Sequence, residues 1–299
     1  MFARLRPLVV LAFTSCLMLM GCSANSEKSS ASNAVLWKIE KSGVPESWLF
    51  GTAHISDSRV AKFSPAVEAA LNQSKHIGTE IKIDFGSMMA MGNAMLTKEP
   101  TLPAKLSAEQ YTKLLPELAA REYPEVAAAK FKPWAAAMLL MTPAKVKGEI
   151  PMDMRVMKHA MENEKDYFGV ETVDEQLSYF QNIPEAKQIV LLNALISQQD
   201  KLAKSYEQLL NAYVKQDLDA LQKLAEQDEI SLPEADQAWF KEWQTKLISE
   251  RNPVMAKRIQ EHLLEGNAFI AIGALHLPGK DGLIERLRAA GYTVTPVLK

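Results

Sequence analysis

Cysteine is nearly absent from this chain. Two cysteines occur among 299 residues: Cys16 lies within an apolar run near the N-terminus, and Cys22 follows the end of that run. The sequence beyond residue 22 therefore has no thiol for a disulfide, for nucleophilic catalysis or for binding a metal through sulfur. A catalytic or metal site in this part must use histidine, carboxylates or hydroxyl groups.

Motifs of several common enzyme classes are also missing. The sequence has no His-Glu-x-x-His of the common zinc proteases and no Gly-x-Ser-x-Gly elbow of the serine hydrolases. It has no Gly-x-Gly-x-x-Gly fingerprint and no P-loop, which argues against nucleotide binding. The 34 basic and 36 acidic residues give a net charge of −2 without long blocks of one sign, so we expect no nucleic-acid partner.

The N-terminus has the pattern of a targeting signal. Arg4 and Arg6 form a basic region ahead of the apolar run 8–20, which is typical of a signal peptide and short for a transmembrane helix. The run ends in Leu-Met-Gly-Cys at residues 19–22, which resembles the lipobox of bacterial lipoproteins. We therefore predict that residues 1–21 are a signal peptide.

The resemblance to a lipobox implies that cleavage leaves Cys22 N-terminal and lipidated. Ser23, rather than aspartate, follows the cysteine, which in enteric-type Gram-negative sorting indicates the outer membrane. Residues 22–34 are polar and serine-rich, as in a tether, and residues 35–299 are predicted to form one large domain. We expect a protein of the cell envelope, held by lipid at the outer membrane and facing the periplasm.

Two distant stretches share one pattern. An apolar strand within residues 48–54 runs into Gly-x-x-His ending at His54, and an apolar strand within residues 269–276 runs into the same turn ending at His276. The glycine of each turn allows a positive φ or a close approach just before the histidine. Because ligands of open α/β sheets bind outside the carboxyl ends of the strands, we predict that the two histidines belong to one site.

The segments around these turns predict an α/β fold. The opening unit is predicted to contain a hairpin (36–50), a helix (64–72) and a strand (77–81) that carries Glu80. The closing unit is predicted to contain a helix (252–265), the strand before Gly273, a helix (281–290) and a strand (292–298). Asn252 fits the N-cap position of the first of these helices.

Between the two units, residues of about 85–250 are mostly helical, and we interpret them as one insertion that covers the binding edge of the sheet. A strand at 167–171, which ends in Glu171, lies within this region. Asp153 fits the N-cap position of a helix that runs to residue 162.

A methionine face marks the first helix of the insertion, at Met88, Met91 and Met95. We predict that this face fills gaps in the core or forms a lid. The alternatives are an adaptable hydrophobic ligand site or a site for a soft metal.

A donor set for a metal follows from the two turns. His54, His276 and Glu80 supply imidazoles and a carboxylate, which suit Zn, Mn, Co or Fe. Three protein ligands leave open positions for water, and a bound divalent ion can activate that water for hydrolysis near neutral pH. Glu171 also ends a strand, so either Glu80 or Glu171 can be the general base, and the pattern does not assign which.

The other histidines lack the repeated turn. His76 precedes a strand, His159 lies in a helix, and His262 lies near a helix C-terminus, where a cation is favourable. We expect these three to be structural or solvent-exposed.

Six stretches and five single positions carry a resemblance to a known family. The stretches are Leu36–Ile39, Leu49–His54, Thr79–Ile81, Gly169–Thr172, Glu250–Ala256 and Gly273–Leu283, and the single positions are Asp153, Leu287, Gly291, Tyr292 and Val294. In this order they resemble the TraB/PrgY/GumN family, which includes the Tiki metalloproteases. The resemblance extends over about residues 35–298.

This resemblance implies a fold related to erythromycin esterase-like and haem-binding ChaN-like proteins. It implies two related β/α halves, each with a Gly-x-x-His turn, and a large helical insertion. In the Tiki branch two histidines and a glutamate support Mn- or Co-dependent peptide cleavage, and the matching residues here are His54, His276 and Glu80. The arginine of the family matches Arg251, which is expected to hold a substrate carboxylate or to stabilise an oxyanion.

The match also includes Asp153 and Asn252, which we expect to bind substrate. Ala53 stands where family members commonly have a bulky aliphatic residue, and Leu275 stands where glycine is more usual. Neither departure removes a predicted ligand.

The sequence thus predicts a lipid-anchored hydrolase that acts on a peptide or small-molecule substrate, with Mn, Co or Zn as cofactor. The alternative is a non-catalytic lipoprotein that binds haem, a metal or a peptide. The ChaN-like relatives and the methionine-rich segment 88–95 suit that alternative. A third reading is a fold that holds no metal and acts only through partners.

Overall fold

A computed structural model describes residues 34–55, 57–144, 146, 148–227 and 230–298. The predicted signal peptide, Cys22 and the tether up to residue 33 lie outside the described residues. Within the described ranges, no helix has both the length and the apolar character needed to cross a membrane.

The described residues form one mixed sheet of six strands. The strands are β1 (Leu36–Lys41), β2 (Val44–Thr52), β3 (His76–Ile81), β4 (Asp166–Glu171), β5 (Ala268–Gly273) and β6 (Thr293–Pro296). Their order across the sheet is β4-β3-β5-β2-β1-β6. The neighbours β4, β3, β5 and β2 are parallel, and β1 is antiparallel to both β2 and β6.

Helices connect and cover these strands. They are α1 (Pro65–Gln73), α2 (Phe85–Met95), α3 (Ala108–Ala119), α4 (Glu125–Ala128), α5 (Pro133–Leu140), α6 (Met152–Glu162), α7 (Val173–Gln181), α8 (Glu185–Ser197), α9 (Gln199–Val214), α10 (Leu218–Ala225), α11 (Glu234–Ile248), α12 (Asn252–Glu265) and α13 (Leu283–Ala289). Local sequence explains several starts. Ser64 accepts a hydrogen bond from the Val67 N–H ahead of proline at the first position of α1, and Thr172 and Glu175 form a capping box on α7.

The centre of the sheet brings the two Gly-x-x-His turns together. β5 is buried at every residue, because it is apolar throughout and has a strand on each side. In its pairing with β2, Gly273 lies opposite Thr52 and Ile272 opposite Gly51. The strands are parallel, so both turns leave the sheet side by side at its carboxyl edge.

Two hydrophobic cores support this arrangement. The first packs the sheet against α1, α6, α9, α10, α12 and α13. The second lies among helices of the predicted insertion, α3, α5, α7, α8 and α11. Met95 and Met91 pack into this second core, whereas Met88 is exposed, so the methionine face is mainly core packing, as predicted.

The predicted α/β class is confirmed, and three local predictions need correction. The insertion contains β4, which pairs with β3 as part of the sheet, so α6 and β4 belong to the sheet layer. Asp153 is not an N-cap, because α6 begins at Met152 after Pro151. Asn252 is the first residue of α12, and Arg251 precedes the helix. The relation between two β/α halves remains a prediction.

Candidate metal and catalytic site

The turns at Gly51 and Gly273 place His54 after β2 and His276 after β5. Neither glycine has a positive φ among the described residues, so the alternative of close approach explains them. A Cβ at Gly273 would lie 2.8 Å from Glu80 Oε1 and 3.1 Å from His54 Nε2. Only glycine therefore leaves room for these two side chains to meet over the turn.

His54 is held by a carboxylate from α6. Its Nδ1 lies 2.7 Å from Asp153 Oδ2, and the other Asp153 oxygen accepts a hydrogen bond of 2.9 Å from Thr52 Oγ1. The Asp153 carboxylate raises the pKa of His54 well above its usual value, against the opposing effect of desolvation. The ring is 54% exposed and its Nε2 lies 3.4 Å from Glu80 Oε1. A cation would therefore compete with a proton for Nε2.

His276 has the same arrangement with an amide in place of the carboxylate. Its Nδ1 lies 2.7 Å from Asn252 Oδ1, and Asn252 Nδ2 donates to the Asp281 carbonyl, which fixes the amide. The ring is only 2% exposed. Burial is the main cause that lowers the pKa of His276 to about 4, and the nearby Arg251 charge adds to it. The ring is therefore neutral at neutral pH, and its Nε2 lies 3.2 Å from Arg251 Nη1.

Glu80 lies between the two histidines. Its Oε1 accepts a 2.8 Å hydrogen bond from the Gly273 N–H, and its Oε2 accepts from Arg251 Nη2 at 2.6 Å and from Gln176 Nε2 at 2.8 Å. Burial alone would raise the pKa of Glu80. The hydrogen bond with His54, the electrostatic interactions with the two histidines and the charge of Arg251 outweigh burial and hold the pKa of Glu80 well below its usual value.

Arg251 joins Glu80 to Glu171. Its Nη2 lies 2.5 Å from Glu171 Oε2, and its Nε donates to Glu171 Oε1 at 3.1 Å. Gln176 Nε2 also donates to Glu171 Oε2 at 3.2 Å, so the two carboxylates share two donors. Desolvation opposes the charged guanidinium, but the two carboxylates raise the pKa of Arg251 above its usual value. All three charged groups are buried.

These residues fit a divalent cation by the chemistry of their donor atoms. Metal-bound histidines commonly donate their second ring N–H to an oxygen, which fixes the tautomer. Asp153 and Asn252 supply that oxygen to the Nδ1 atoms of His54 and His276, which leaves both Nε2 atoms on the inner side. His54 and Glu80 already face each other, whereas Arg251 lies against His276 Nε2.

A second group of metal-ligand side chains in the described part of the chain has its ligand atoms closer together than those of His54, Glu80 and His276. His76, Asp166 and His262 offer three ligand atoms within 4.8 Å of one another. That group lies at the amino ends of β3 and β4, at the edge opposite the two turns.

A cavity of about 650 Å³ opens over the site. His54, Glu80, Arg251 and His276 line one end of it. Apolar side chains line much of the remaining wall, among them Ile55, Met141, Tyr206, Leu209, Leu210 and Tyr213. Charged side chains such as Arg59, Arg121 and Glu207 also lie in the wall. A cavity of this size with a mainly apolar wall and interspersed polar groups is typical of sites for small molecules or peptide segments.

The predicted site residues thus divide into two groups. The first group, His54, Glu80, Arg251 and His276, lines the cavity. The second group supports the first from behind: Asp153 contacts His54, Asn252 contacts His276, and Glu171 contacts Arg251. Asp153 and Asn252, expected to bind substrate, lie with their oxygens against the histidines.

Two further residues of this site, Gln176 and Tyr213, were not predicted from the sequence. Gln176 bridges Glu80 and Glu171, and the Tyr213 hydroxyl donates to the Gly51 carbonyl at 2.7 Å behind the first turn. Both lie in ordinary helical sequence, which carries no signal of this kind.

Fold and site define an α/β protein with a buried cluster of histidine, glutamate and arginine at the carboxyl edge of its sheet. The sequence profile of the TraB/PrgY/gumN family matches residues 35–296, and the chain belongs to this family.

Curated relatives carry the name metalloprotease. The chain is 25% identical over 323 residues to "Metalloprotease TIKI1" of Danio rerio, with 92% of this chain and 65% of the relative covered. It is 27% identical over 330 residues to "Metalloprotease TIKI1" of Xenopus tropicalis, covering 91% and 63%. It is 24% identical over 323 residues to "Metalloprotease TIKI homolog" of Nematostella vectensis, covering 88% and 66%. The chain therefore spans slightly less than two thirds of these relatives. No solved structure matches it significantly.

Proposed function

We propose that this protein is a metal-dependent hydrolase that cleaves peptides at the carboxyl edge of its sheet. The observation that carries the proposal is the convergence of His54 and His276 beside Glu80, with each Nδ1 held by an oxygen. Relatives of this chain named metalloproteases support the reaction class. When bound, a divalent cation lowers the pKa of a water molecule and polarises a carbonyl group.

In this proposal the two glutamates have different roles. Glu80 lines the cavity, and its Oε1 lies beside His54 Nε2, so Glu80 serves as ligand or as general base. Both oxygens of Glu171 accept hydrogen bonds from Arg251, so Glu171 positions the arginine. Arg251 presents its charge at the wall of the cavity, where it can stabilise an oxyanion or hold a substrate carboxylate.

The cavity suits a peptide with an apolar side chain near the cleaved bond. Apolar side chains such as Ile55 and Leu209 lie in its wall, together with charged side chains such as Arg59 and Glu207. An apolar residue of the peptide would then be buried in the cavity while its carbonyl group faces the histidines. We propose this class of substrate, without a particular sequence.

The test is peptide cleavage by the purified chain after removal of metal with a chelator. Adding Mn²⁺, Co²⁺ or Zn²⁺ should restore cleavage of a mixed peptide pool, read by mass spectrometry. His54→Ala and His276→Ala should each abolish the restored cleavage. His159→Gln, a histidine of α6 outside the cavity, is the matched control and should retain it.

Unchanged cleavage in either alanine variant would end the proposal. An absorbance band of bound haem that shifts in His54→Ala, without any cleavage, would favour the haem-binding lipoprotein instead. Zero metal content together with no haem and no cleavage would favour a fold that acts only through partners.

We also propose that lipid on Cys22 holds the protein in the cell envelope, at the outer membrane. The support is the lipobox-like sequence at residues 19–22 and the serine-rich residues after it. In producing cells Cys22→Ala should move the protein from the membrane fraction to the soluble fraction. Mass spectrometry of the wild-type N-terminus should find acyl chains on the cysteine.

A further inference from the structure

The edge of the sheet opposite the cavity holds a second cluster of metal-ligand side chains. His76 is the first residue of β3, Asp166 is the first residue of β4, and His262 lies in the last turn of α12. One ligand atom from each lies within 4.8 Å of the other two. Strand pairing explains the first contact, since His76 and Asp166 are register partners in the parallel pair β3–β4.

Contacts around the cluster already orient its side chains. His76 Nδ1 lies 2.9 Å from Asp166 Oδ2, and His76 Nε2 lies 3.5 Å from Glu265 Oε2 on the same helix as His262. The His262 ring stacks on Phe168, with 3.4 Å between the ring centroids and 11° between the planes. The stacking fixes the plane of the imidazole, so little side-chain freedom remains to be lost on binding an ion.

This cluster is separate from the candidate active site. Along β3, His76 and Glu80 are four residues apart, or about 13 Å at the rise of a strand. Along α12, Asn252 and His262 are ten residues apart, or about 15 Å at the rise of a helix. The same three elements therefore carry active-site residues at one end and the cluster at the other.

We infer that His76, Asp166 and His262 form a second, structural site for a divalent transition-metal ion, with Glu265 as the available fourth ligand. Two imidazoles with one or two carboxylates are a donor set for Zn²⁺ and its neighbours in the first row, and they disfavour soft ions that need sulfur. Donor atoms around Zn²⁺ lie about 3.3 Å apart at metal distances of about 2.0 to 2.1 Å, so a modest contraction of the cluster completes the site.

The consequence is a cross-link between β3, β4 and α12. Glu80 lies in β3, Glu171 ends β4 and Arg251 directly precedes α12, and these three residues form the buried ion cluster of the cavity. A metal at the opposite edge would stabilise the arrangement of the three elements without contacting substrate.

The test uses the full chain carrying His54→Ala and His276→Ala, which removes both histidines of the first site. Equilibrium dialysis with ZnCl₂ should find one Zn²⁺ bound per chain, and Zn²⁺ should raise the Tm. Adding His76→Asn or Asp166→Asn should weaken zinc binding at least about 10-fold and abolish the rise in Tm, because a direct ligand is lost. Asp174→Asn, an exposed aspartate on α7, is the matched control and should change neither result.

A second measurement uses a single substitution, in case the combined variants fold poorly. In the otherwise wild-type chain, Asp166→Asn should lower the zinc stoichiometry by one and leave the rate of peptide cleavage in place. Zinc binding of unchanged affinity in both His76→Asn and Asp166→Asn, with native circular dichroism, would overturn the inference. Zero zinc on the starting double variant would overturn it too, and neither result would bear on the cavity site.

Discussion

Asp153 Oδ2 lies 2.7 Å from His54 Nδ1, so a carboxylate from α6 determines which nitrogen of this histidine faces the cavity. His276 receives the same support from an amide, at the same distance, from Asn252. The two histidines thus differ in the charge behind them and in the direction of their pKa shifts, although their turns have the same sequence pattern.

The first prediction concerns this support. Asp153→Ala should lower the affinity for Mn²⁺ or Co²⁺ by about 10- to 100-fold, because His54 loses the acceptor that fixes its tautomer. Asp153→Asn keeps an acceptor oxygen, as Asn252 does for His276, and should lose less. Metal titration of both variants checks the order. Equal affinities for wild type and Asp153→Ala would contradict a role of Asp153 in positioning.

The second prediction concerns the buried arginine. Arg251→Met leaves Glu80 and Glu171 without their shared cation and should lower the free energy of unfolding by about 3 to 5 kcal/mol. Arg258→Met is the control, since Arg258 pairs with Glu175 at a half-exposed position and should cost about 1 kcal/mol or less. Urea unfolding at neutral pH measures both. Similar losses in the two variants would show that burial does not set the cost.

The third prediction concerns the glycine between the ligands. Gly273→Ala places a Cβ 2.8 Å from Glu80 Oε1, so the carboxylate or the turn must shift. Cleavage should fall by about 100-fold or more, as for other displacements of catalytic groups by about 1 Å.

The matched control for that change is Gly92→Ala in α2, where nothing lies within 4 Å of the added atom. It should retain cleavage and gain up to about 1 kcal/mol of stability from helix propensity. The prediction for Gly273 fails if both alanine variants cleave at the wild-type rate.

The fourth prediction concerns pH. Hydrogen bonds from Arg258 and from the capping box lower the pKa of Glu175 to about 2. The folded pKa is below the unfolded value of about 4.3. The stabilisation is therefore complete above that unfolded value and is lost as the pH falls toward 2.

Glu175→Gln isolates this effect, because glutamine still completes a capping box. Glu175 is 43% exposed, so solvent screening keeps the cost at pH 7 to about 1 kcal/mol or less. Unfolding measurements between pH 7 and pH 3 should show the difference from wild type shrinking below about pH 4.3. A difference that grows on acidification would contradict the assignment.

Much of the fold was predictable because its signals are local. The apolar run at β5, the serine-proline start of α1 and the glycine at the end of α12 each act through nearby residues. The side-by-side placement of the two turns followed from a general property of α/β sheets, and the pairing of β2 with β5 agrees with it. The prediction that Asp153 and Asn252 are N-caps was wrong. The side-chain oxygen of Asp or Asn can accept a hydrogen bond either from a helix N-terminus or from a histidine ring, and the sequence does not distinguish the two roles.

The sequence by itself determined the α/β class, the family and the two Gly-x-x-His turns, because strand burial and turn geometry depend on residues close together in the chain. The tertiary structure alone decided which side chains meet. Asp153 comes to His54 across 99 residues, and Arg251 comes to Glu80 across 171. The cluster at His76 and His262 likewise depends on strand register and on where α12 ends. Such contacts arise from packing between elements, and no local pattern encodes them.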